Sequence, residues 1–182
     1  MTPASTDVEA VIAALVRDVP DFPERGVLFK DICPLLADAD GLAAVVDALS
    51  TFGRRGGAVV VDKVAGVEAR GFMLAVPVAL ALGVGFVPVR KAGKLPGPTY
   101  QQPHALEYGE STIEIQRDAF SAGERVLVVD DVLATGGTLQ ATAALVARSG
   151  AQVSACCVVI ELGFLAGRES TNGFDLHALT VM

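Results

Sequence analysis

The sequence predicts an α/β fold: a mainly parallel sheet flanked by helices. Three observations carry that expectation. Short aliphatic runs recur at 58–61, 84–90, 125–129 and 152–162, each the length of a buried strand. Segments with helical spacing stand between them, and such alternation builds parallel sheets with helices on both faces. The run at 125–129 also leads directly into a glycine turn and a helix, the place where ligands sit in such sheets.

The elements follow in order. Thr6 to Glu9 reads as a capping box opening a helix with Val8, Ile12, Leu15 and Val16 on one face. Residues 20–36 hold turn residues and short apolar pieces without a long period. Leu42, Val45, Val46, Leu49 and Phe52 keep helical spacing. "AVVV" at 58–61 reads as a buried strand and 69–82 as the next helix. "VGFVPVR" is a strand, 91–110 a loop rich in Gly and Pro, and "STIEIQ" a half-exposed strand. "RVLVV" is another buried strand, 137–149 a helix, "QVSACCVVIEL" a further strand, and the chain closes on "FDLHALTVM".

No repeat or linker divides the 182 residues, so residues 1–182 are expected to form one domain. Apolar residues make up 52% and charged residues 19%, as in a folded chain. Against 14 Lys and Arg stand 21 Asp and Glu, a net charge of -7. Nucleic acid is therefore not expected as a partner through a general basic surface. Cys33, Cys156 and Cys157 give neither a disulfide framework nor a zinc site and read as buried thiols in a reducing cytosol. The first residues lack the charge and apolar run of a signal peptide. Residues 72–89 carry no charge, but Pro77, Gly83, Gly85 and Pro88 break the run into a helix and a strand rather than a membrane span.

Chemistry concentrates in "VLVVDDVLATGGT", 126–138. Asp130 and Asp131 arrive at the end of a core strand. Gly136 and Gly137 let backbone amides approach an anion, and the following helix N-terminus adds a favourable dipole. Thr135 and Thr138 offer hydroxyl donors to the same group. Together Ala134 to Thr138 form a phosphate cradle. Two carboxylates beside a phosphate repel it unless they face hydroxyl donors or a metal; ribose hydroxyls and a magnesium ion meet that need. The plain alternative has Asp131 and Thr135 merely capping turns. Gly93-Lys94 is followed by leucine, so no P-loop is present, and "GVGFVP" lacks the third glycine of a dinucleotide fingerprint.

Between Ala69 and Leu106 there is no Asp or Glu, where the chain average would give about four. The same window holds Arg70, Arg90, Lys91 and Lys94, which is how an acidic protein makes a site for a strongly anionic substrate. Glu107 is the first carboxylate after it and a candidate proton-transfer group, or else a solvated turn residue.

The 126–138 block resembles the phosphoribosyl-pyrophosphate signature of the type I phosphoribosyltransferases. "DFPERGVLFKDICPLL", "GVEARGF", "RKAGKLPGPT", "LEYG" and "VVIELGFLAGRE" extend the resemblance, in order, to the adenine phosphoribosyltransferase family. The resemblance implies purine salvage: adenine and 5-phosphoribosyl 1-pyrophosphate give AMP and pyrophosphate, with magnesium carried by the substrate. It implies a small N-terminal hood at 20–36 over the base, with Leu28 and the backbone of Lys30 near adenine. Lys30 stands where some relatives carry arginine; a main-chain contact survives that change. Asp130 and Asp131 would face the ribose hydroxyls, Ala134 to Thr138 the 5′-phosphate, and Arg70, Arg90, Lys91 and Lys94 the pyrophosphate. Arg70 and Glu107 would be catalytic. A cytoplasmic homodimer, without membrane or nucleic acid, is expected. Two rivals stay open: transfer to another base such as xanthine or orotate, and a non-catalytic regulator that senses the sugar pyrophosphate and binds nucleic acid.

Overall fold

The computed structural model describes residues 7–105, 110–171 and 173–182, which fall into two compact units, Met1–Ala48 and Leu49–Met182. In the first unit α1 (Val8–Leu15) buries Ile12, and its cap is Asp7, whose carboxylate accepts from the Ala10 amide at 3.3 Å. The expected capping residue, Thr6, lies outside the described residues. The segment without a clear period supplies β2 (Leu28–Asp31), which pairs antiparallel with β1 (Arg17–Pro20) immediately before it. Strands of four residues are too short to show alternation. Ion pairs Arg17–Asp31 at 2.5 Å and Lys30–Asp18 at 2.7 Å fasten the hairpin across the strands. The Arg17 bond and the Cys33 amide hold the Asp31 carboxyl down to about 2. Phe22 packs edge-on against Phe29, with centroids 5.1 Å apart. A short α2 (Cys33–Ala37) follows, and Asp38 then caps α3 (Ala39–Thr51) by accepting from the Gly41 amide at 2.7 Å.

The second unit is built on a seven-stranded sheet. In chain order its strands are β5 (Lys63–Val67), β6 (Gly85–Lys91), β7 (Thr99–Ala105), β8 (Glu110–Gln116), β9 (Arg125–Leu133), β10 (Gln152–Glu161) and β11 (Leu176–Val181). Their spatial order is β11-β10-β9-β5-β6-β8-β7. The first five in that row are parallel; β8 runs antiparallel to β6 and to β7. The mainly parallel α/β sheet is as the sequence predicts, with an antiparallel hairpin added at one edge.

Four expectations need correction. The strand read at 58–61 is displaced: Arg54–Arg55 (β3) and Ala58–Val59 (β4) form an exposed two-residue hairpin around Gly56 and Gly57, both with positive φ. The sheet strand starts instead at a lysine, because the Lys63 ammonium is satisfied by the Ala119 carbonyl at 2.8 Å and by Glu124 at 3.1 Å. The loop read at 91–110 contains β7, a polar edge strand that tolerates Pro103. With β7 outside it, β8 is covered, so Ile113, Glu114 and Ile115 are buried rather than alternating with exposure. Cys156 and Cys157 are buried in β10, but Cys33 is exposed.

Two long helices cover the sheet. α5 (Gly137–Arg148) packs Leu139, Leu145 and Val146 on the face that carries Ala65, Val67, Val126, Val128, Cys156 and Val158. Neighbouring residues of a strand point to opposite faces, so Gly66, Leu127 and Val129 meet α4 (Arg70–Leu82) on the other. Gly83, left-handed at φ 69, stops α4 and turns the chain into β6. The charge-free run is thus a helix with one buried face, leaving Met73, Val76 and Leu80 exposed, followed by a strand, and among the described residues no helix is long and apolar enough to cross a membrane.

Gly66 sets how closely α4 lies on the sheet. A Cβ there would stand 2.5 Å from the Ala75 Cβ and 2.9 Å from the Phe86 ring. Gly66→Ala is expected to destabilise the fold by about 1–3 kcal/mol through overpacking. Urea unfolding checks this; a change below about 0.5 kcal/mol would mean that α4 is free to retreat.

Candidate active site

The crossover from β5 through α4 leads to β6 on one side, while the crossover from β9 through α5 leads to β10 on the other. β5 and β9 are neighbours, so the crevice where ligands bind in open α/β sheets opens at their carboxyl ends. β5 pairs with β9 only as far as Gly66 opposite Val129, whereas β9 continues beside β10 to Leu133. Asp130 and Asp131 therefore lie inside a strand, on the stretch that outruns β5. They are more deeply placed than a strand-end position implies, at 8% and 6% exposure.

Gly71 lets the start of α4 reach them: a Cβ there would lie 2.8 Å from Asp130 Oδ1. Arg70, the first residue of α4, brings its Nε to 2.8 Å from Asp131 Oδ2. That oxygen is buried and has no hydrogen bond among the described residues, so the contact is a charge pair lacking hydrogen-bond alignment. The Asp131 amide donates to Asp130 Oδ1 at 2.9 Å. Burial, and then the adjacent Asp131 charge, push the Asp130 carboxyl well above the usual carboxylate range; the Asp131 amide and Arg70 oppose this without cancelling it.

The cradle at 134–138 closes into α5, whose N-cap is Gly136 at φ 84. The first amides of a helix have no partner within it, and no acid sits in this first turn. A segment after β10 shapes the loop from behind. The Ser170 hydroxyl donates to the Thr135 carbonyl at 2.6 Å. Gly167 has no side chain where the Ala134 carbonyl packs, and Gly136 lies so close to the Gly167 carbonyl that a Cβ would come within 2.7 Å. Arg168 holds this segment to Glu161 at 2.5 Å and to the Leu176 carbonyl at 2.9 Å. The roles of Gly167, Ser170 and Arg168 are not readable from the sequence, although the adjacent Ala166 and Gly167 are the kind of signal that close backbone packing leaves. His104, on β7, is also missed: its Nε2 stands 3.4 Å from Thr138 Oγ1 and its buried Nδ1 has no partner among the described residues. Burial lowers its pKa and favours the neutral ring.

Of the cations in the acid-free window, Arg90 is held by the acid just outside it, Glu68. Val67 pairs with Val89, so Glu68 meets Arg90 where the two strands end. Arg90 Nε and the Lys91 amide both donate to Glu68 Oε2, each at 3.1 Å. Burial alone would raise the Glu68 carboxyl; the Lys91 amide and Arg90 outweigh it and hold it low. Lys91 and Lys94 are exposed, and among the described residues neither ammonium has a carboxylate partner. The carboxyl ends of β5, β6 and β9 thus gather Arg70, Arg90, Asp130, Asp131 and the cradle. Glu107 lies outside the described residues. Leu28 and Lys30 belong to the first unit, where Leu28 is 45% exposed and the Lys30 ammonium is held by Asp18.

Known proteins show the same arrangement of sequence and fold. The phosphoribosyl transferase domain family matches residues 36–174. An adenine phosphoribosyltransferase of a Nocardioides species is 62% identical over 167 residues, which cover 91% of this chain and 90% of the relative. The fold is similar to that of adenine phosphoribosyltransferase from Thermoanaerobacter pseudethanolicus, with a TM-score of 0.90 and 44% identity over 96% of this chain and 99% of that one. The Saccharomyces cerevisiae adenine phosphoribosyltransferase, solved with D-2,5-dideoxy-2,5-imino-altritol 1,6-bisphosphate and adenine, gives a TM-score of 0.90 at 37% identity, covering 97% of this chain and 100% of that one.

The raised Asp130 carboxyl has a consequence for stability. A carboxyl whose pKa rises on folding contributes stability below its unfolded pKa, near 4, and loses it as pH climbs through the folded value. Asparagine keeps the acceptor for the Asp131 amide but never ionises. Asp130→Asn is therefore expected to match the wild type near pH 4 and to melt at least about 2 °C higher by pH 8, the response to roughly 1 kcal/mol in a chain of this size. Thermal unfolding across pH checks it; a lower Tm, or a difference that does not grow with pH, would contradict the burial account.

Proposed function

We infer that this chain, which belongs to the adenine phosphoribosyltransferases, transfers the phosphoribosyl group of 5-phosphoribosyl 1-pyrophosphate to adenine, giving AMP and pyrophosphate in purine salvage. The observation that carries the reading is the meeting of an anion cradle, two buried carboxylates and two arginines at the carboxyl ends of adjacent, oppositely continuing strands.

In the reaction the bond from C1′ to the pyrophosphate oxygen breaks, N9 of adenine bonds to C1′, and the base gives up a proton. Positive charge gathers on the sugar while negative charge leaves with pyrophosphate, so groups already fixed around both stabilise the transition state. We assign Arg70, Arg90, Lys91 and Lys94 to the pyrophosphate. Ala134, Thr135, Gly136, Gly137 and Thr138 are assigned to the 5′-phosphate, and Asp130 and Asp131 to the ribose hydroxyls. Asp131 Oδ2 supports the last assignment, since it meets the Arg70 charge but receives no aligned hydrogen bond among the described residues. Arg70 and Arg90 rest on Asp131 and Glu68. An arriving pyrophosphate would thus exchange one anionic partner for another rather than meet bare cations. Glu107 is assigned to the base proton. Leu28 and the main chain of Lys30 are assigned to adenine; Asp18 already holds the Lys30 ammonium, which favours the main-chain contact.

The donor set fits a magnesium ion carried by the substrate. Among the described residues no three His, Cys, Asp or Glu side chains gather to hold a metal, and magnesium is commonly bound by one or two carboxylates with substrate phosphates and water. Asp130 or Asp131 would be the protein's contribution, and the bound ion would offset charge on the pyrophosphate. The same reading takes residues 1–182 as one functional domain with its hood at 20–36, acting as a cytoplasmic homodimer. A net charge of -7 supports the exclusion of nucleic acid as a partner.

A panel of adenine, hypoxanthine, guanine, xanthine and orotate, each with 5-phosphoribosyl 1-pyrophosphate and magnesium, tests the reading. Adenine is expected to lead in kcat/KM by at least about two decades, because a site built to bond an amino group leaves polar groups unpaired against its rivals. Comparable use of an oxo-base or orotate would reassign the enzyme. No turnover at all, with salt-dependent binding to RNA or DNA, would favour the regulator.

A further inference from the structure

We infer that Glu114 is a positioning residue for pyrophosphate, its buried carboxylate fixing the cationic turn at 91–98 and, through one peptide group, the guanidinium of Arg90. The inference rests on the assignment of this turn to pyrophosphate and deepens it. Glu114 sits mid-strand in β8 between the buried Ile113 and Ile115, and only 1% of it is exposed. A carboxylate in such a place is costly unless its oxygens are bonded. Here both are: Oε1 accepts from the amides of Lys94 and Leu95, each at 2.9 Å. Oε2 accepts from Thr99 Oγ1 at 3.1 Å and Gln101 Nε2 at 3.0 Å. Burial alone would raise this carboxyl, but the Leu95 amide, Gln101 and the other donors outweigh it and keep it ionised.

The partners are neutral dipoles, so the carboxylate's effect is to shape the turn rather than to neutralise a cation. Arg90 is the register partner of Glu114 across the β6–β8 pair. Yet its guanidinium is bonded to Glu68, at 3.1 Å, and to the Lys94 carbonyl, at 2.8 Å. That carbonyl and the Leu95 N–H are the two ends of one peptide group. Its oxygen faces Arg90 and its hydrogen faces Glu114. The buried anion thus polarises the peptide that orients the arginine, and it fixes the backbone from which the Lys94 side chain extends.

Glutamine at 114 would turn one acceptor oxygen into a donor facing donors, which breaks about half of the set. For Glu114→Gln in the AMP-plus-pyrophosphate direction, the KM for pyrophosphate is expected to rise about tenfold, while the KM for AMP stays within twofold. Amide exchange in 91–98 should quicken in the free protein. Direct titration of inorganic pyrophosphate with magnesium should show the same tenfold loss. If Glu114→Gln does not fold, the exposed-side pair Thr99→Val with Gln101→Ala strips both Oε2 donors, and at least a threefold rise in the pyrophosphate KM is expected. An unchanged pyrophosphate KM in the folded variant, or a parallel rise for AMP, would reduce Glu114 to a structural residue. The adenine reading fails separately: a wild type that binds pyrophosphate but makes no AMP from adenine would overturn that reading and leave this one standing.

Discussion

The arrangement depends on keeping two adjacent carboxylates, Asp130 and Asp131, inside a strand where water barely reaches them. Two neighbouring anions in a poorly solvated place repel each other and lose hydration, so something must compensate them. The register supplies the means. β5 stops short of β9, and the chain turns after it to start α4 at Arg70, against Asp131. Small residues make that approach possible: Gly66 lets α4 lie low on the sheet, and Gly71 leaves room for Asp130. A bulkier residue at either place would move the helix start, and with it the compensating charge.

The same economy of charge extends over the site. In a chain with net charge -7, the cations that matter are held by nearby acids, Arg70 by Asp131 and Arg90 by Glu68. Where water reaches such a pair, as at Arg90 and Glu68, it is worth little for stability and its value is placement. Each arginine is already oriented before a polyanion arrives, so little conformational freedom remains to be lost on binding. The cradle is preset in the same manner, by Ser170 and the close packing of Gly167 behind Ala134.

What the sequence made legible is what short-range patterning controls. The strand, turn and helix around Asp130 to Thr138 follow from an uninterrupted aliphatic run and from glycine's conformational freedom, and α4 and α5 from helical spacing. The missed elements are those decided by partners far along the chain. β5 begins with a lysine that Ala119 and Glu124 make acceptable, while the first half of the more aliphatic "AVVV" is drawn into a hairpin by two glycines. β7 reads as a loop because its polar residues and proline are permitted only at an edge. Glu68 and Glu114 look like ordinary surface acids until their donors, 19 to 23 residues distant for the amides of Lys91, Lys94 and Leu95, are seen to converge on them. Leu28 and Lys30 could be named only through family resemblance, since two four-residue strands leave no periodic trace.

The Arg70–Asp131 pair can be isolated by a double-mutant cycle in urea unfolding, with Arg70→Ala, Asp131→Ala and the two combined. Removing one partner leaves a poorly solvated charge without compensation, whereas removing both does not. The double variant is therefore expected to be more stable than the sum of the singles by about 1 kcal/mol or more, within the range for residues in direct contact. Additivity to within about 0.3 kcal/mol would show that the two carboxylates are held in the strand by something other than this arginine.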